Sequence, residues 1–203
     1  MGVQMLKSSL VVALGLLASC TSNRMFAPRE SRNGSGPTGM QAAVYALPSP
    51  GQGEVRLWCD GARRNTPPGG EAQTELMLGF EIENPGSVPL RLDPQNVHVR
   101  AVVSEGGRSE ARALLPLPAV AVAEPGTTAS LGIAFVIDGG LLPRSVEGFE
   151  LHWRIEAADG SGSYAQVTPF QTWLPDPPSR YYWRDPWPWW GFGFGYSGYY
   201  WCR

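Results

Sequence analysis

"TELMLGFEIEN", residues 74–84, has a large apolar side chain at every second position. The apolar residues on one face are Leu76, Leu78, Phe80 and Ile82, and the glutamates on the other face are Glu75, Glu81 and Glu83. A period of two with charge on one side is typical of a strand with one buried face and one solvated face. The stretch therefore predicts a half-buried antiparallel strand, and the "NPGS" that completes it predicts a turn.

Segments on both sides of this strand repeat the pattern, and turn signals such as "EPGTT" and "DGSGS" separate them. The other alternating runs are "QAAVYAL" (41–47), "EVRLWCD" (54–60), "VPLRLDP" (88–94), "NVHVRAVV" (96–103), "ASLGIAFVID" (129–138), "EGFELHWRIEA" (147–157) and "YAQVTPFQTW" (164–173). The stretch "SEARALLPLPAVAVAEPG" (109–126) is also apolar, but Pro116 and Pro118 exclude a helix there, because proline is incompatible with a helix interior. The pattern predicts an all-β, immunoglobulin-like antiparallel β-sandwich over residues 41–174, with a small β-barrel as the alternative.

Two of these runs predict which side chains face the core. In "NVHVRAVV" the expected inward residues are Val97, Val99, Ala101 and Val103. In "EGFELHWRIEA" the expected inward residues are Phe149, Leu151, Trp153 and Ile155. The residues between them are polar or charged, and we expect them to face solvent.

The amino terminus has the composition of an export signal. The segment Met1–Ser9 contains one cation, Lys7, and no acid, and the apolar run Leu10–Leu17 is far shorter than the roughly 20 residues of a membrane-spanning helix. Its last residues, Leu17-Ala18-Ser19-Cys20, consist of an aliphatic residue, two small residues and a cysteine. This motif resembles the lipobox of bacterial lipoproteins.

The resemblance implies a lipid anchor at Cys20. In that family the peptide before the cysteine is removed, the thiol receives a diacylglycerol and the new amino group receives a further acyl chain such as palmitate. A single acyl chain binds a membrane only reversibly, whereas two or three chains hold stably. Thr21 follows the cysteine where an aspartate would imply retention at the inner membrane. By that analogy the protein is lipid-anchored in the cell outer membrane and faces the periplasm.

The segment Thr21–Gly39 mixes Ser, Asn, Arg, Gly and Pro without a helical or strand period. Such a composition predicts a flexible spacer. The sequence therefore predicts four parts, which are a lipoprotein signal peptide (1–19), a flexible tether (20–40), the β-sandwich (41–174) and an irregular Pro- then aromatic/Gly-rich tail (175–203). The run "FEIENPGSVPLRLDPQNVHV" (80–99) resembles the Ig-like modules of bacterial envelope lipoproteins. That resemblance implies an Ig-like envelope domain.

The carboxyl-terminal tail "SRYYWRDPWPWWGFGFGYSGYYWCR" (179–203) holds five of the eight tryptophans and five of the seven tyrosines. So many rings are unfavourable as one patch in water, so we expect them to contact a partner. The residues proposed for this contact are Trp183, Trp187, Trp189, Trp190, Tyr199, Tyr200 and Trp201. The alternatives are the chain's own sandwich, the membrane interface, a protein partner and cell-wall glycan.

The three cysteines allow one internal pair. If Cys20 is acylated, Cys59 and Cys202 remain in an oxidising compartment and can form a disulfide. The alternative is a buried thiol at Cys59 and a Cys202 that is unpaired or pairs with another chain.

Candidates for chemistry are few in this sequence. The two histidines, His98 and His152, both fall on polar strand faces, and we expect them to be surface residues. If their strands are neighbours, His98 and His152 could form a weak metal site with Glu150 or Glu156. We expect no catalytic residues, no cofactor and no metal. The net charge of −2 gives no global field that would recruit nucleic acid.

These observations predict a lipid-anchored cell-envelope protein with a non-catalytic, structural or protein-binding role. One alternative is a glycan-binding module that uses the aromatic tail on the cell wall. A second alternative is a weak metal site or an enzyme at His98 and His152. The membrane, through the lipid, and an envelope protein or glycan are the expected partners. The oligomeric state does not follow from the sequence.

Overall fold

The computed structural model describes residues 24–29, 32–37, 39–48, 53–137 and 140–174. They form an all-β fold of two antiparallel sheets, as predicted. In chain order the strands are β1 (Phe26–Pro28), β2 (Arg32–Ser35), β3 (Gln41–Leu47), β4 (Gly53–Asn65), β5 (Gln73–Asn84), β6 (Leu90–Leu92), β7 (His98–Ser104), β8 (Gly107–Ser109), β9 (Ala111–Ala113), β10 (Ala121–Ala123), β11 (Thr127–Ile137), β12 (Val146–Ala157) and β13 (Ser163–Thr172). The helical segments within these ranges are 3₁₀ turns at Pro94–Asn96 and Pro143–Ser145.

The first sheet has six strands in the order β2-β3-β4-β5-β11-β9. Its central strand β5 is the stretch that begins the sequence argument, and it pairs with β4 on one side and with β11 on the other. The four predicted inward residues of β5 are all buried in the core. On the outer face, Glu81 accepts a hydrogen bond of 2.7 Å from Arg56. The period-two prediction is therefore confirmed for this strand.

Glu75 lies on the outer face as predicted, but only 1% of its side chain is exposed. Its carboxylate is enclosed by polar neighbours, because Asn65 Nδ2 donates to it at 2.6 Å and Gln73 Nε2 at 3.3 Å. Arg63 Nη2 lies 3.5 Å from the second carboxylate oxygen. A buried carboxylate needs such donors, since burial without them is costly.

The second sheet contains β1, β13, β12, β6 and β10 in that order, and β7 and β8 extend it at β12. β12 is its longest strand and pairs along nine residues with β13. Its side chains alternate as predicted. The buried residues are Phe149, Leu151, Trp153 and Ile155, and the outward residues are Glu150, His152, Arg154 and Glu156.

The opposite edge of β12 is shared by two short strands. β7 pairs with β12 as far as His152, and β6 pairs with it from Ile155 onward. The 3₁₀ turn Pro94–Asn96 lies between β6 and β7 in the chain. The side chain of Asp93 caps this turn by accepting a hydrogen bond of 2.9 Å from Gln95 N. The strand pairing along this edge of β12 is thus interrupted between His152 and Ile155.

A β-bulge alters the alternation predicted for β7. Val97 and Val99 are buried as expected, but the pairing with β12 shifts register between Gly148 and Glu150. Ala101 has φ 48°, in the left-handed region that L side chains rarely adopt. After the bulge Val102 is buried and Val103 is only half-buried, so the predicted inward position of Val103 was wrong. One extra residue on one strand reverses every later side chain.

The two sheets pack face to face around an aromatic cluster centred on Trp153. The Trp153 ring contacts those of Tyr45 and Phe80 in edge-to-face arrangements, with centroids 5.3 and 6.4 Å apart. Trp153 Nε1 donates to Thr168 Oγ1 at 3.0 Å, and Tyr45 Oη lies 2.8 Å from the same hydroxyl. Because Tyr45 belongs to the first sheet and Trp153 to the second, this polar link joins the sheets within the core.

The sandwich begins earlier in the chain than the sequence indicates. Within the predicted tether 20–40, β1 pairs with β13 and β2 pairs with β3, so the described residues 24–29 and 32–37 are not a free spacer. Phe26 is fully buried, and its ring packs edge-to-face on Phe149 with centroids 5.3 Å apart. β1 has three residues, too few to show an alternating pattern in the sequence. The buried side chain of Phe26 holds this strand in place instead.

Candidate functional site

Most of the predicted contact residues lie outside the described residues. These are Cys20, Cys202, Trp183, Trp187, Trp189, Trp190, Tyr199, Tyr200 and Trp201. Of the predicted site residues, the structure describes Cys59 and the two histidines, His98 and His152.

A shallow cleft of about 410 Å³ opens on the outer face of the second sheet. It lies beside the gap between β6 and β7, where neither strand pairs with the middle of β12. Its lining residues are Asn96, His98, His152, Trp153, Arg154, Ala165, Gln166 and Val167. The cleft offers amide and imidazole groups beside the 42% exposed side chain of Val167. The sequence predicted the outward histidines but not the interruption that creates the cleft, because strand order is a long-range property.

The two histidines meet in this cleft. His98 on β7 and His152 on β12 are direct cross-strand partners. Cross-strand partners lie on the same face with Cβ atoms about 4.5–5.5 Å apart. The neighbouring carboxylate is that of Glu150, whose Oε2 lies 3.5 Å from His152 Nε2. That separation is within ion-pair range, but its geometry does not make a hydrogen bond.

Glu156, the other carboxylate considered for a metal site, has a different partner. Its Oε1 lies 2.8 Å from Arg154 Nη2, and its cross-strand partner is Arg91. Among the described residues, no group of three His, Cys, Asp or Glu side chains is arranged to hold a metal ion. The cleft therefore brings His98 and His152 together, and Glu150 lies beside His152 without lining the cleft. Its polar groups are suited to hydrogen bonding with a partner surface.

Cys59 lies on β4 with its side chain in the core between the sheets, and it is 0% exposed. Its thiol is free in the structure, and Gly61 N donates a hydrogen bond to its sulfur at 3.4 Å. Burial raises the pKa of this thiol to about 12 because the thiolate would lose its hydration. The pairing with Cys202 stays a prediction, since Cys202 lies outside the described residues.

A second apolar cluster lies on the outer face of the first sheet, around Trp58. The indole packs with Met40 and Ala42, and the partly buried Met25 and Trp173 adjoin it. Trp58 is 7% exposed, and its Nε1 has no hydrogen-bond partner in the structure. This cluster joins Met25, which precedes β1, to Trp173, which follows β13. No local pattern predicted it, because Met25, Trp58 and Trp173 are distant in the chain.

The chain enters and leaves the sandwich at one corner, which we define by Arg24, Met25, Trp173 and Leu174 and call the entry–exit corner. Arg24 N donates to Ala62 O at 3.1 Å, and Ala62 N donates to Arg24 O at 2.8 Å. Trp173 N donates to Met25 O at 2.9 Å. The first and last segments that the structure describes are therefore hydrogen-bonded neighbours.

Gly61 is the residue that allows the chain to enter here. It has φ 112° and forms the β-bulge in the pairing of β4 with β5. A Cβ atom at this position would lie 2.7 Å from the carbonyl oxygen of Arg24. Only glycine both adopts this backbone conformation readily and leaves room for the entering strand.

Comparison with known proteins yields a distant structural similarity. No protein-family model matches the chain, and no curated protein matches it in sequence. The crystal structure of a FixG-related protein from Vibrio parahaemolyticus is similar over 60% of this chain and 97% of that chain. The sequence identity is 12% and the TM-score is 0.34, values too low to carry an inference about function. No helix within the described ranges has the length and apolar character needed to cross a membrane.

Proposed function

We propose that this chain is a lipid-anchored cell-envelope protein with a non-catalytic, structural or protein-binding role. In this proposal the signal peptide 1–19 is removed and Cys20 is acylated. The β-sandwich is of the Ig-like type and is attached to the outer membrane facing the periplasm. The lipobox Leu17-Ala18-Ser19-Cys20 motivates the anchor and Thr21 the choice of membrane.

One observation carries the anchoring proposal most directly. The sandwich begins at Arg24, whose backbone is bonded to Ala62, only four residues after Cys20. Four extended residues span at most about 14 Å. A cleavage site before Cys20 needs to be accessible, and the proposed site precedes the first described residue of the sandwich by four residues. The short link would also hold the sandwich close to the lipid surface.

The Ig-like assignment is supported by the packing of the two sheets. A tryptophan from the middle of one sheet, Trp153, fills the space between them and bonds to a buried threonine. The chain passes repeatedly from one sheet to the other, for example between β8 in the second sheet and β9 in the first. Both features are typical of Greek-key sandwiches.

The protein-binding role is supported by the cleft on the second sheet. It is open, its walls alternate hydrogen-bonding groups with the apolar side chain of Val167, and it lies on an outward sheet face. Exposed apolar area rimmed by polar groups is typical of contact surfaces between proteins. We therefore propose the cleft as the contact site for an envelope protein.

The anchoring proposal is tested by mass analysis and membrane fractionation of the natural product. We expect a mature chain that begins at Cys20, carries acyl mass and fractionates with the outer membrane. Cys20→Ser should lose both the acyl mass and the cleavage before residue 20. Ser19→Ala, which keeps a small lipobox residue, is the matched control and should behave like the wild type. A natural product with the mass of the uncut, unmodified polypeptide would overturn the proposal.

The contact site is tested by photocrosslinking in intact cells. A crosslinking amino acid at Gln166, in the cleft, should capture a discrete envelope protein. The same amino acid at Arg108, an exposed residue of β8 that does not line the cleft, serves as the control. Capture of peptidoglycan fragments instead would favour the glycan alternative. Bound metal that is lost in His98→Ala/His152→Ala would favour the metal or enzyme alternative.

A further inference from the structure

The strand β13 has a long edge that no neighbouring strand covers. β12 pairs along nine residues of its inner side. On the outer side β1 pairs with residues 170–172, and Arg29 N adds one hydrogen bond to Pro169 O. Among the described residues, no strand pairs with the outer side of β13 between Ser163 and Thr168. Over this stretch the second sheet therefore ends in an open strand edge.

The hydrogen bonds at the two ends of β13 show which backbone groups face this edge. Gly162 O accepts from Ala157 N at 2.9 Å, so even-numbered residues direct their backbone groups towards β12. Pro169 O accepts from Arg29 N at 2.8 Å, so odd-numbered residues direct theirs towards β1. The pairing with β12 has no register shift, so this alternation holds along the strand. The residues that present their N–H and C=O groups at the open edge are therefore Ser163, Ala165 and Val167.

This edge is not protected against pairing with another strand. Its open part, "SYAQVT" (163–168), contains no charged residue and no proline. The other strands at sheet edges, β1, β2, β8, β9 and β10, have three or four residues each. Three of them contain an arginine, namely Arg32 in β2, Arg108 in β8 and Arg112 in β9. Because short length and charge oppose edge-to-edge pairing, β13 is the edge best suited to it.

A second copy of the same edge matches these groups by symmetry. If two β13 strands are antiparallel about a two-fold axis at Ala165, Ser163 of each copy lies opposite Val167 of the other. This register places all the outward backbone groups in hydrogen-bonded pairs, each of which exchanges two bonds. The paired side chains are small or β-branched and carry no charge, so no like charges face each other. The outward charges of β12 in the two copies are three strand spacings apart, about 14 Å, where salt screens their repulsion.

We propose that two copies of this chain associate through the open edge of β13, with Ala165 on the two-fold axis, so that their second sheets join into one continuous sheet. The proposal goes beyond the proposed function, because it requires neither the lipid on Cys20 nor a partner in the cleft. The outward groups of β13 point away from β12, so the second copy lies beside the cleft and not over it. Five paired residues in each copy form a small interface, which is typical of a reversible association.

Cysteine crosslinking in intact cells tests the pairing and its register. All variants are made in the full-length chain with Cys202→Ser, and that parent chain alone is the control. Ala165→Cys should form a disulfide-linked dimer under a mild oxidant, because the Cα atoms of a hydrogen-bonded pair are about 5.5 Å apart. Ser163→Cys alone should give no more dimer than the parent, because its two copies are four residues, about 14 Å, out of register. Coexpressed Ser163→Cys and Val167→Cys chains with different tags should crosslink to each other.

Like charges beside the two-fold axis should separate the copies. Ala165→Lys, added to the Ser163→Cys and Val167→Cys chains, should lower their crosslinking about fivefold, because two ammonium groups would lie directly opposite each other. Gln171→Lys is the matched control. It adds the same charge to an exposed residue on the same face of β13, where β1 already pairs with the edge. The crosslinking yield of this control should not change.

Several results would overturn the proposal. One is a dimer yield for Ala165→Cys no higher than that of the parent or of Ser163→Cys alone. Another is a disulfide from residue 165 to a different protein in place of a second copy. A dimer that forms only after deletion of residues 180–203 would show that the chain's own tail covers the edge, which also overturns it. None of these results depends on the acyl mass at Cys20, so failure of this proposal is distinguishable from failure of the anchoring proposal.

Discussion

Trp58 lies flat on the outer face of the first sheet, and glycine neighbours make this possible. Its cross-strand partners are Gly79 on β5 and Ala42 on β3. A Cβ atom at Gly79 would overlap Cε2 and Cζ2 of the indole. Gly36 packs against another part of the indole, because a Cβ atom at Gly36 would lie 2.8 Å from Cγ of Trp58. The outer cluster therefore depends on the absence of a side chain at these positions.

Gly79→Ala should destabilise the sandwich by about 1–3 kcal/mol, because the new methyl group displaces the indole from its packed position. Urea unfolding measures this change. Gly132→Ala is the matched control, because Gly132 is the β11 partner of Gly79 and a Cβ there meets no atom within 4 Å. It should alter the free energy of unfolding by no more than about 0.5 kcal/mol. Equal effects of the two substitutions would contradict the packing of Trp58.

The thiol of Cys59 makes stability depend on alkaline pH. Its pKa is about 12 in the folded chain against 9.0 for an ordinary thiol, so the folded state binds the proton more tightly. Below pH 9 the thiol is protonated in both states and its contribution is fully present. From pH 9 to 12 only the unfolded chain loses the proton, so stability should fall by about 1.4 kcal/mol per pH unit from this group. Comparison of the reduced wild type with Cys59→Ala by urea unfolding isolates that slope.

The same measurement without reductant tests the predicted disulfide. If Cys59 is bonded to Cys202, the oxidised chain has no thiol to titrate at residue 59. The difference in slope between the wild type and Cys59→Ala should then vanish. If the oxidised and reduced chains have the same slope, Cys59 is a free thiol in solution as it is in the structure.

At the scale of single residues, the alternation of apolar and polar side chains was predictable on β5 and β12, because that period is local. The enclosure of Glu75 was not, because its donor Asn65 lies on β4 and is brought to it by the pairing of β4 with β5. Nor was the bulge at Ala101, since left-handed positions are normally marked by Gly or Asn. The meeting of His98 and His152 needed strand order, which no local pattern contains.

At the scale of elements, β1 shows how one side chain can order a short strand. Phe26 is packed between the sheets against Phe149, which stacks in turn on Phe170 with centroids 4.8 Å apart. β1 pairs along the edge of β13. Arg29, just after β1, extends this pairing by donating from its N to Pro169 O at 2.8 Å. The segment 24–29 is therefore an edge strand in a stretch whose composition predicted a tether.

Phe26→Ala should cost about 3–5 kcal/mol in the free energy of unfolding, since it removes a fully buried ring and leaves a cavity. Arg29→Ala, three residues later, is the control. Its side chain is exposed and its hydrogen bond uses the backbone, so the change should stay within about 0.5 kcal/mol. If Phe26→Ala were as mild as Arg29→Ala, the segment would be the spacer that its composition predicted.

At the scale of the whole molecule, the sequence predicted the fold class because eight alternating runs with turns between them leave few architectures. It did not predict the order of strands in the sheets or the meeting of Met25 with Trp173. Those features arise from long-range pairs such as Phe26 with Thr172, which local periodicity does not encode.

Deletion of residues 180–203 distinguishes a tail that contacts a partner from one that covers its own sandwich. If the tail contacts a membrane, a protein or glycan instead of the sandwich, the free energy of unfolding should change by less than about 0.5 kcal/mol. A tail that covers an apolar face would contribute about 25 cal/mol per Å² of apolar surface, and its loss would lower stability measurably. Urea unfolding of the deleted and complete chains measures the difference.

Under the proposed anchor at Cys20, the position of the entry–exit corner also sets how far the cleft would lie from the membrane. β13 runs from Ser163 to Thr172 at the entry–exit corner, a rise of about 30 Å. If β13 stands upright on the membrane at that corner, the cleft beside Val167 would lie about 17 Å from the end of the strand at Thr172. The hairpin turn before Ser163 would then lie at the end farthest from the membrane. A ligand lying flat on the bilayer would then pass beneath the cleft. Only a molecule that itself rises from the membrane, or descends from the cell wall, could reach it.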